Sequence, residues 1–147
     1  MDEMPERSVE QEMAAPAGEH RATNVQPRDP LTERIIACAI EVHRNIGPGL
    51  LESTYEEALC IELELAGLHF RRQVAFPIIY KGRALGEYRI DLLVEEQVIV
   101  ELKSVERFDP VFGAQVLTYL RAASKKVGLL INFNSRLLSQ GFQRFVL

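Results

Sequence analysis

Residues 87–103, EYRIDLLVEEQVIVELK, restrict the fold more than any other stretch of this chain. Two runs of alternating character flank a short polar segment, the pattern of two β-strands joined by a turn. In the first run Tyr88, Ile90, Leu92 and Val94 form one apolar set, while Glu87, Arg89, Asp91 and Leu93 point the other way. In the second, Val98, Val100 and Leu102 alternate with Ile99, Glu101 and Lys103. A three-residue loop at 95–97 pairs Val94 with Val98, Leu92 with Val100 and Ile90 with Leu102, and puts both apolar sets on one face. A two-residue loop would set each apolar set against the other strand's polar set, which a sheet buried on one side disfavours. The favoured register places Asp91 directly across from Glu101.

Two carboxylates opposed on a sheet repel each other. Lys103 stands two residues beyond Glu101 on the same face. Acids and a lysine gathered in this way suit a magnesium or manganese site, since both ions prefer oxygen ligands. The lysine would then assist a water that attacks a phosphodiester. The alternative is a solvated strand edge with an ordinary Glu–Lys pair, and the spacing alone leaves both open.

The 147 residues are one domain's worth of chain, and 47% hydrophobic with 26% charged residues is a soluble globular composition. A net charge of −4 argues against a strong sequence-independent grip on nucleic acid, though it leaves room for a local basic patch. Cys38 and Cys60 fall inside helical patterns without metal-ligand spacing and read as reduced core residues. No apolar run reaches membrane-spanning length and no hydrophobic signal core opens the chain, so no membrane partner and a cytoplasmic location are expected. Residues 1–28, polar and interrupted by Pro5, Pro16 and Pro27, read as a disordered leader, with residues 29–147 forming the domain.

Asp29 and Pro30 are an N-cap and a first-turn proline, and the apolar spacing behind them predicts a helix over 31–45. His43, near its end, reads as a hydrogen-bonded structural histidine. Gly47, Pro48 and Gly49 stop that helix. A second is predicted over 51–66, closed by Gly67, with Leu51, Ala58, Leu59, Leu63 and Leu65 apolar and Glu56, Glu57, Glu62 and Glu64 solvated. Glu52 and Tyr55, three apart, share a face. Strands are expected over 73–80 and 83–94, with Pro77 marking an edge or a bulge and Lys81-Gly82 a turn. Asp109-Pro110 opens a helix to about 124, on which Gln115 and Tyr119 share a face. A buried strand over 127–133 and a short terminal one within 141–147 complete an α/β fold on a mixed sheet.

Gly49, Glu52 and Tyr55 form a G-x-x-E-x-x-Y run. With Asp91, the Glu101-Leu102-Lys103 triplet, the helix AQVLTYL from Ala114 to Leu120 and the strand GLLINF ending at Phe133, the chain resembles the GxxExxY protein family of the PD-(D/E)XK nuclease-like superfamily. The resemblance spans nearly everything after the leader. It implies a restriction-endonuclease-like αβββαβ core, its mixed sheet flanked by helices. It implies Asp91 and Glu101 as acids for Mg2+ or Mn2+, with the Leu102 carbonyl and Glu52 as further ligands. Lys103 would orient the water, and Gln115 and Tyr119 would reach the site from the helix. Where the family commonly has histidine, this chain has Phe112, followed by Gly113. Two functions follow: a metal-dependent nuclease or nuclease-like phosphodiesterase, or a non-catalytic module of the same fold that holds nucleic acid or a protein. An acidic chain of this size working on nucleic acid is expected to need a second copy or a protein partner to build a groove.

Overall fold

The structure, a computed structural model, describes residues 29–147; the leader expected at 1–28 lies outside the described residues. Helix α1 (Pro30–Ile46) begins where Asp29 caps it, the carboxylate accepting from the Leu31 N–H at 3.0 Å. Gly47, at φ 67°, ends it. The loop to α2 (Glu52–Leu65) is tied by Tyr55, whose hydroxyl donates to the Gly47 carbonyl at 2.6 Å and accepts from the Leu50 N–H at 3.1 Å. Its ring stacks on Phe133 with centroids 4.5 Å apart. Strands β1 (Phe70–Tyr80), β2 (Arg83–Val94) and β3 (Val98–Lys103) follow, then α3 (Pro110–Ala122), capped by Asp109. Strand β4 (Val127–Asn132), a short 3-10 turn (Leu138–Gln140) and β5 (Phe142–Val146) close the chain.

The five strands lie in sequence order. Only β3 and β4 are parallel, joined by the α3 crossover, so the sheet is mixed as expected. Helices α1 and α2 cover one face, packing Ile35, Val42, Leu59 and Leu63 against Leu92, Val100, Leu102 and Leu129. Helix α3 covers the other, packing Val116 and Leu120 against Ile99, Leu130 and Phe145. The central strands β3 and β4 are thereby buried on both sides, which explains their near-continuous apolar sequence. Each fully buried Leu or Ile contributes about 1.5–3 kcal/mol. Gly128 lets α3 approach closely, since a Cβ there would stand 2.7 Å from Val116 Cγ1.

The hairpin register is Val94 with Val98, Leu93 with Ile99 and Leu92 with Val100, as the loop length requires. There the ladder ends, and the expected Ile90–Leu102 pair is absent from it. The reason is an exchange of faces. Leu92 and Val94 lie in the α1/α2 core, whereas Ile90 lies in the α3 core, with Tyr88 paired to Phe76 on that same side. The expected single apolar face from Tyr88 to Val94 is therefore split at Asp91. Strand β1 switches at the same level: Phe70 packs on the α1/α2 core and Phe76 in the α3 core, and Gln73 between them has φ 49°. One residue in the left-handed region reverses the sides on which its neighbours fall.

The buried stripe of α2 also differs from expectation. It runs through Tyr55, Glu56, Leu59, Cys60 and Leu63, leaving Leu51 and Leu65 exposed at 73% and 77%. Glu56, expected in solvent, is buried, while Glu57 and Glu64 are exposed. Strand β1 is an edge strand with a register shift at Pro77/Ile78, as the proline indicates. Cys38 and Cys60 are free and buried. His43 Nε2 lies 2.7 Å from the Ser135 carbonyl, a structural contact. Among the described residues no helix is long and apolar enough to cross a membrane.

Candidate active site

Where β2 and β3 part, side chains take over the ladder. The Asp91 N–H donates to Glu101 Oε1 at 3.1 Å, and the Leu102 N–H donates to Asp91 Oδ2 at 2.9 Å. The two acids are thus interlocked, each spanning to the other strand's main chain. Glu101 is buried. Burial first, and then the charge of Asp91, push its carboxyl up to about 8; the Asp91 N–H and Lys103 pull the other way.

Asp91 opens onto a cleft of about 230 Å³ lined by Glu52, Ser53, Glu56, Gln73, Asp91 and Leu102. Glu52 stands at its exposed rim, on the first turn of α2. The Gln73 side-chain amide donates to Glu56 Oε1 at 2.7 Å and to Asp91 Oδ1 at 3.3 Å, linking α2 to the acid pair. Arg72 neutralises Glu56 through two hydrogen bonds of 2.7 and 3.2 Å to Oε2. Gln73 and Glu56 are the site residues that sequence reasoning missed. The available signal was the polar triplet Arg71-Arg72-Gln73 inside an otherwise apolar strand.

Lys103 emerges on the α3 side. Its Nζ stands over the Phe112 ring, 4.6 Å from the centroid, and it forms no ion pair with Asp91 or Glu101. The strand end carrying it is clamped by buried Asn132: its amide donates to the Val105 carbonyl at 2.9 Å and its oxygen accepts from the Val105 N–H at 3.1 Å. The Ser104 hydroxyl donates to the Leu50 carbonyl at 2.6 Å, tying β3 to the Gly49–Tyr55 segment. On α3, Gln115 donates to the Tyr119 hydroxyl at 2.7 Å. Burial and then the Glu101 charge raise the Tyr119 phenol above its ordinary value, so Tyr119 faces the acid pair electrostatically. The structure brings Asp91, Glu101 and Leu102 into direct contact and sets Glu52, Lys103 and the Gln115–Tyr119 pair around them without bonds to them.

Residues 29–145 match the family model described as the PD-(D/E)XK nuclease superfamily. The chain belongs to that superfamily. Its five-stranded mixed sheet between helices agrees with the restriction-endonuclease-like fold of PD-(D/E)XK proteins. No curated protein and no solved structure matches the chain. Among the described residues no three His, Cys, Asp or Glu side chains form a ready-made metal cage. A PD-(D/E)XK site does not need one. Magnesium is commonly held by one or two carboxylates and keeps waters and substrate phosphates as its other ligands. The donor set fits that pattern: two carboxylates, and a main-chain carbonyl at Leu102 that points to the same strand edge as its N–H.

Proposed function

We propose that the protein is a divalent-metal-dependent nuclease, or a closely related phosphodiesterase acting on nucleic acid, and that within the superfamily it groups with the GxxExxY proteins. The observation that carries this reading is the interlocked Asp91–Glu101 pair, whose Asp91 lines an acid-rich cleft with Glu52 and Glu56. Two carboxylates kept this close, one of them buried, are poorly stabilised unless a proton or a cation joins them. Asp91, Glu101 and the Leu102 carbonyl would hold Mg2+ or Mn2+, with Glu52 across the cleft as a further ligand or as the holder of a water. When bound, such an ion polarises the phosphate and lowers the pKa of a water. Lys103 supplies positive charge to that water or to the phosphate, and Phe112 gives its ammonium a resting place. Gln115 and Tyr119 orient the phosphodiester from α3.

A second reading, a binding module without catalysis, is favoured by one observation. Phe112 removes the imidazole from α3 and engages Lys103 instead. Time-resolved cleavage of labelled single- and double-stranded DNA and RNA, with Mg2+ or Mn2+, separates the two. The nuclease reading predicts metal-dependent cleavage that drops at least about a hundredfold in Lys103→Met, the scale of losing one charged catalytic group, while metal affinity is retained. Equal rates in both proteins would remove Lys103 from the chemistry. A wild type that binds these strands yet cuts none with either metal would establish the binding module.

A further inference from the structure

Strands β1 and β2 outrun the rest of the sheet. They stay paired from Phe70/Val94 to Tyr80/Arg83, whereas β2 pairs with β3 only from Leu92 to Val94. Residues 74–90 therefore form a two-stranded ribbon with, among the described residues, no third strand beside β2, closed by Lys81 and Gly82 at φ 48° and 76°. Residues directly opposite share a face. Phe76/Tyr88, Ile78/Leu85 and Tyr80/Arg83 follow one another along the face that turns towards α3. Near the body this face is covered, with the Phe76 ring 5.0 Å and the Tyr88 ring 6.2 Å from Tyr119. Outward it is bare: Tyr88, Leu85 and Tyr80 are exposed at 38%, 47% and 59%.

The ribbon also reverses the sign of the charge. Residues 74–90 hold Lys81, Arg83 and Arg89 against Glu87 alone, in a chain whose net charge is −4. Arg89 and Glu87 pair with each other at 3.2 Å. Among the described residues Arg83 has no carboxylate partner, and Lys81 Nζ stands 5.5 Å over the Tyr80 ring. Tyrosine faces and cations without carboxylate partners, in a row that leads back to Tyr119, match a polyanion with aromatic faces of its own.

We propose that this face of the β1–β2 ribbon is an arm that binds single-stranded nucleic acid and feeds it to the Asp91–Glu101 site, an assignment that rests on the nuclease reading and names its substrate. Same-face residues on a strand recur about every 6.6–6.8 Å. Stacked bases of a duplex rise about 3.4 Å per strand and cover each other's faces. Only unstacked bases meet Tyr80 and Tyr88 face-on, as on other stacking platforms for single strands, while Arg83 and Lys81 take the phosphates.

The test is fluorescence anisotropy with short labelled single strands and matched duplexes, in DNA and RNA forms, in chelator so that no cleavage occurs. Wild type binds the single strands at least about tenfold tighter than the duplexes, and the DNA and RNA arms tell which sugar is preferred. Tyr80→Ala and Arg83→Ala each weaken single-strand binding about fivefold or more, the scale of one stacked base. Ile79→Ala, on the opposite face of the ribbon, does not. All three sites are exposed, and unchanged melting confirms their folding. Equal binding of duplex and single strand, no binding by wild type, or wild-type binding by both tip variants overturns the arm. So does sedimentation showing that Tyr80→Ala only dissolves a dimer. Metal-dependent cleavage that persists in the tip variants leaves the nuclease reading standing while the arm falls; single-strand binding without any cleavage does the reverse.

Discussion

Glu101 carries the sharpest residue-scale consequence. Its folded-state pKa of about 8 stands above the ordinary 4.5, so between those values the metal-free folded protein keeps a proton that the unfolded chain has released. This contribution to stability is complete below pH 4.5 and is lost as pH rises through about 8. Urea midpoints in chelator are expected to fall across that window in wild type and to stay flatter in Glu101→Gln, which still accepts from Asp91. Parallel profiles would show that Glu101 is not the titrating group. Gln73 gives a second expectation. Gln73→Glu removes a donor shared by Glu56 and Asp91 and adds a like charge, so metal-free stability should drop by roughly 1–3 kcal/mol. Added Mn2+ should restore part of it; an unchanged melting temperature would deny Gln73 its linking role. The contact of Asp91 with Glu101 was legible in the sequence because loop length fixes the hairpin register, but the alternation expected to put both acids and Lys103 on one side breaks at Asp91, which opens onto the cleft beside α2 while Lys103 emerges beside α3. Gln73 was not legible, because its partners lie 17 and 18 residues away and its left-handed backbone leaves no pattern. Glu56 was hidden in a run of glutamates, since the charge that buries it, Arg72, comes from another element.

At the scale of elements, caps and turns were readable and the side on which each strand faces was only partly so. Asp29 and Asp109 both accept from the N–H two residues on, as helix-capping aspartates do. The alternation Tyr88, Ile90, Leu92, Val94 is unbroken in sequence, yet its members serve two cores, because β2 changes sides at Asp91, opposite the left-handed Gln73 of β1, and alternation alone does not show such a break. Likewise Leu51 and Leu65 at the two ends of α2 were drawn into its expected stripe, although both are exposed and the buried stripe runs through Tyr55, Glu56, Leu59, Cys60 and Leu63. The placement of α3, which carries Phe112, Gln115 and Tyr119, depends on Gly128. Gly128→Ala sets a methyl 2.7 Å from Val116 Cγ1 inside the α3 core and should destabilise by about 1–3 kcal/mol. A denaturant midpoint equal to wild type would mean that α3 moves without penalty and that the α3 side of the site is less rigid than its packing implies.

For the molecule as a whole, stability and function are distributed unequally over one sheet. Strands β3 and β4 are buried on both faces, while among the described residues the outer half of the β1–β2 ribbon has neither a third strand nor a covering helix. Amide hydrogen exchange should therefore be slowest in β3 and β4 and fastest near Lys81 and Gly82. Uniform protection would contradict a rigid body carrying a pliant arm. The acid pair sits at the junction of these regions, where the β2–β3 ladder ends, with Asp91 on the cleft and Glu101 buried behind it. The claim that Asp91 and Glu101 hold a divalent ion is tested most directly by calorimetric titration of Mn2+ into wild type and Asp91→Asn, with circular dichroism confirming that both are folded. The account predicts a binding isotherm in wild type and an affinity at least about tenfold lower in the variant, no smaller than the loss on removing a group that merely supports a metal ligand. Equal affinity in the two proteins, or no binding in either, would contradict it.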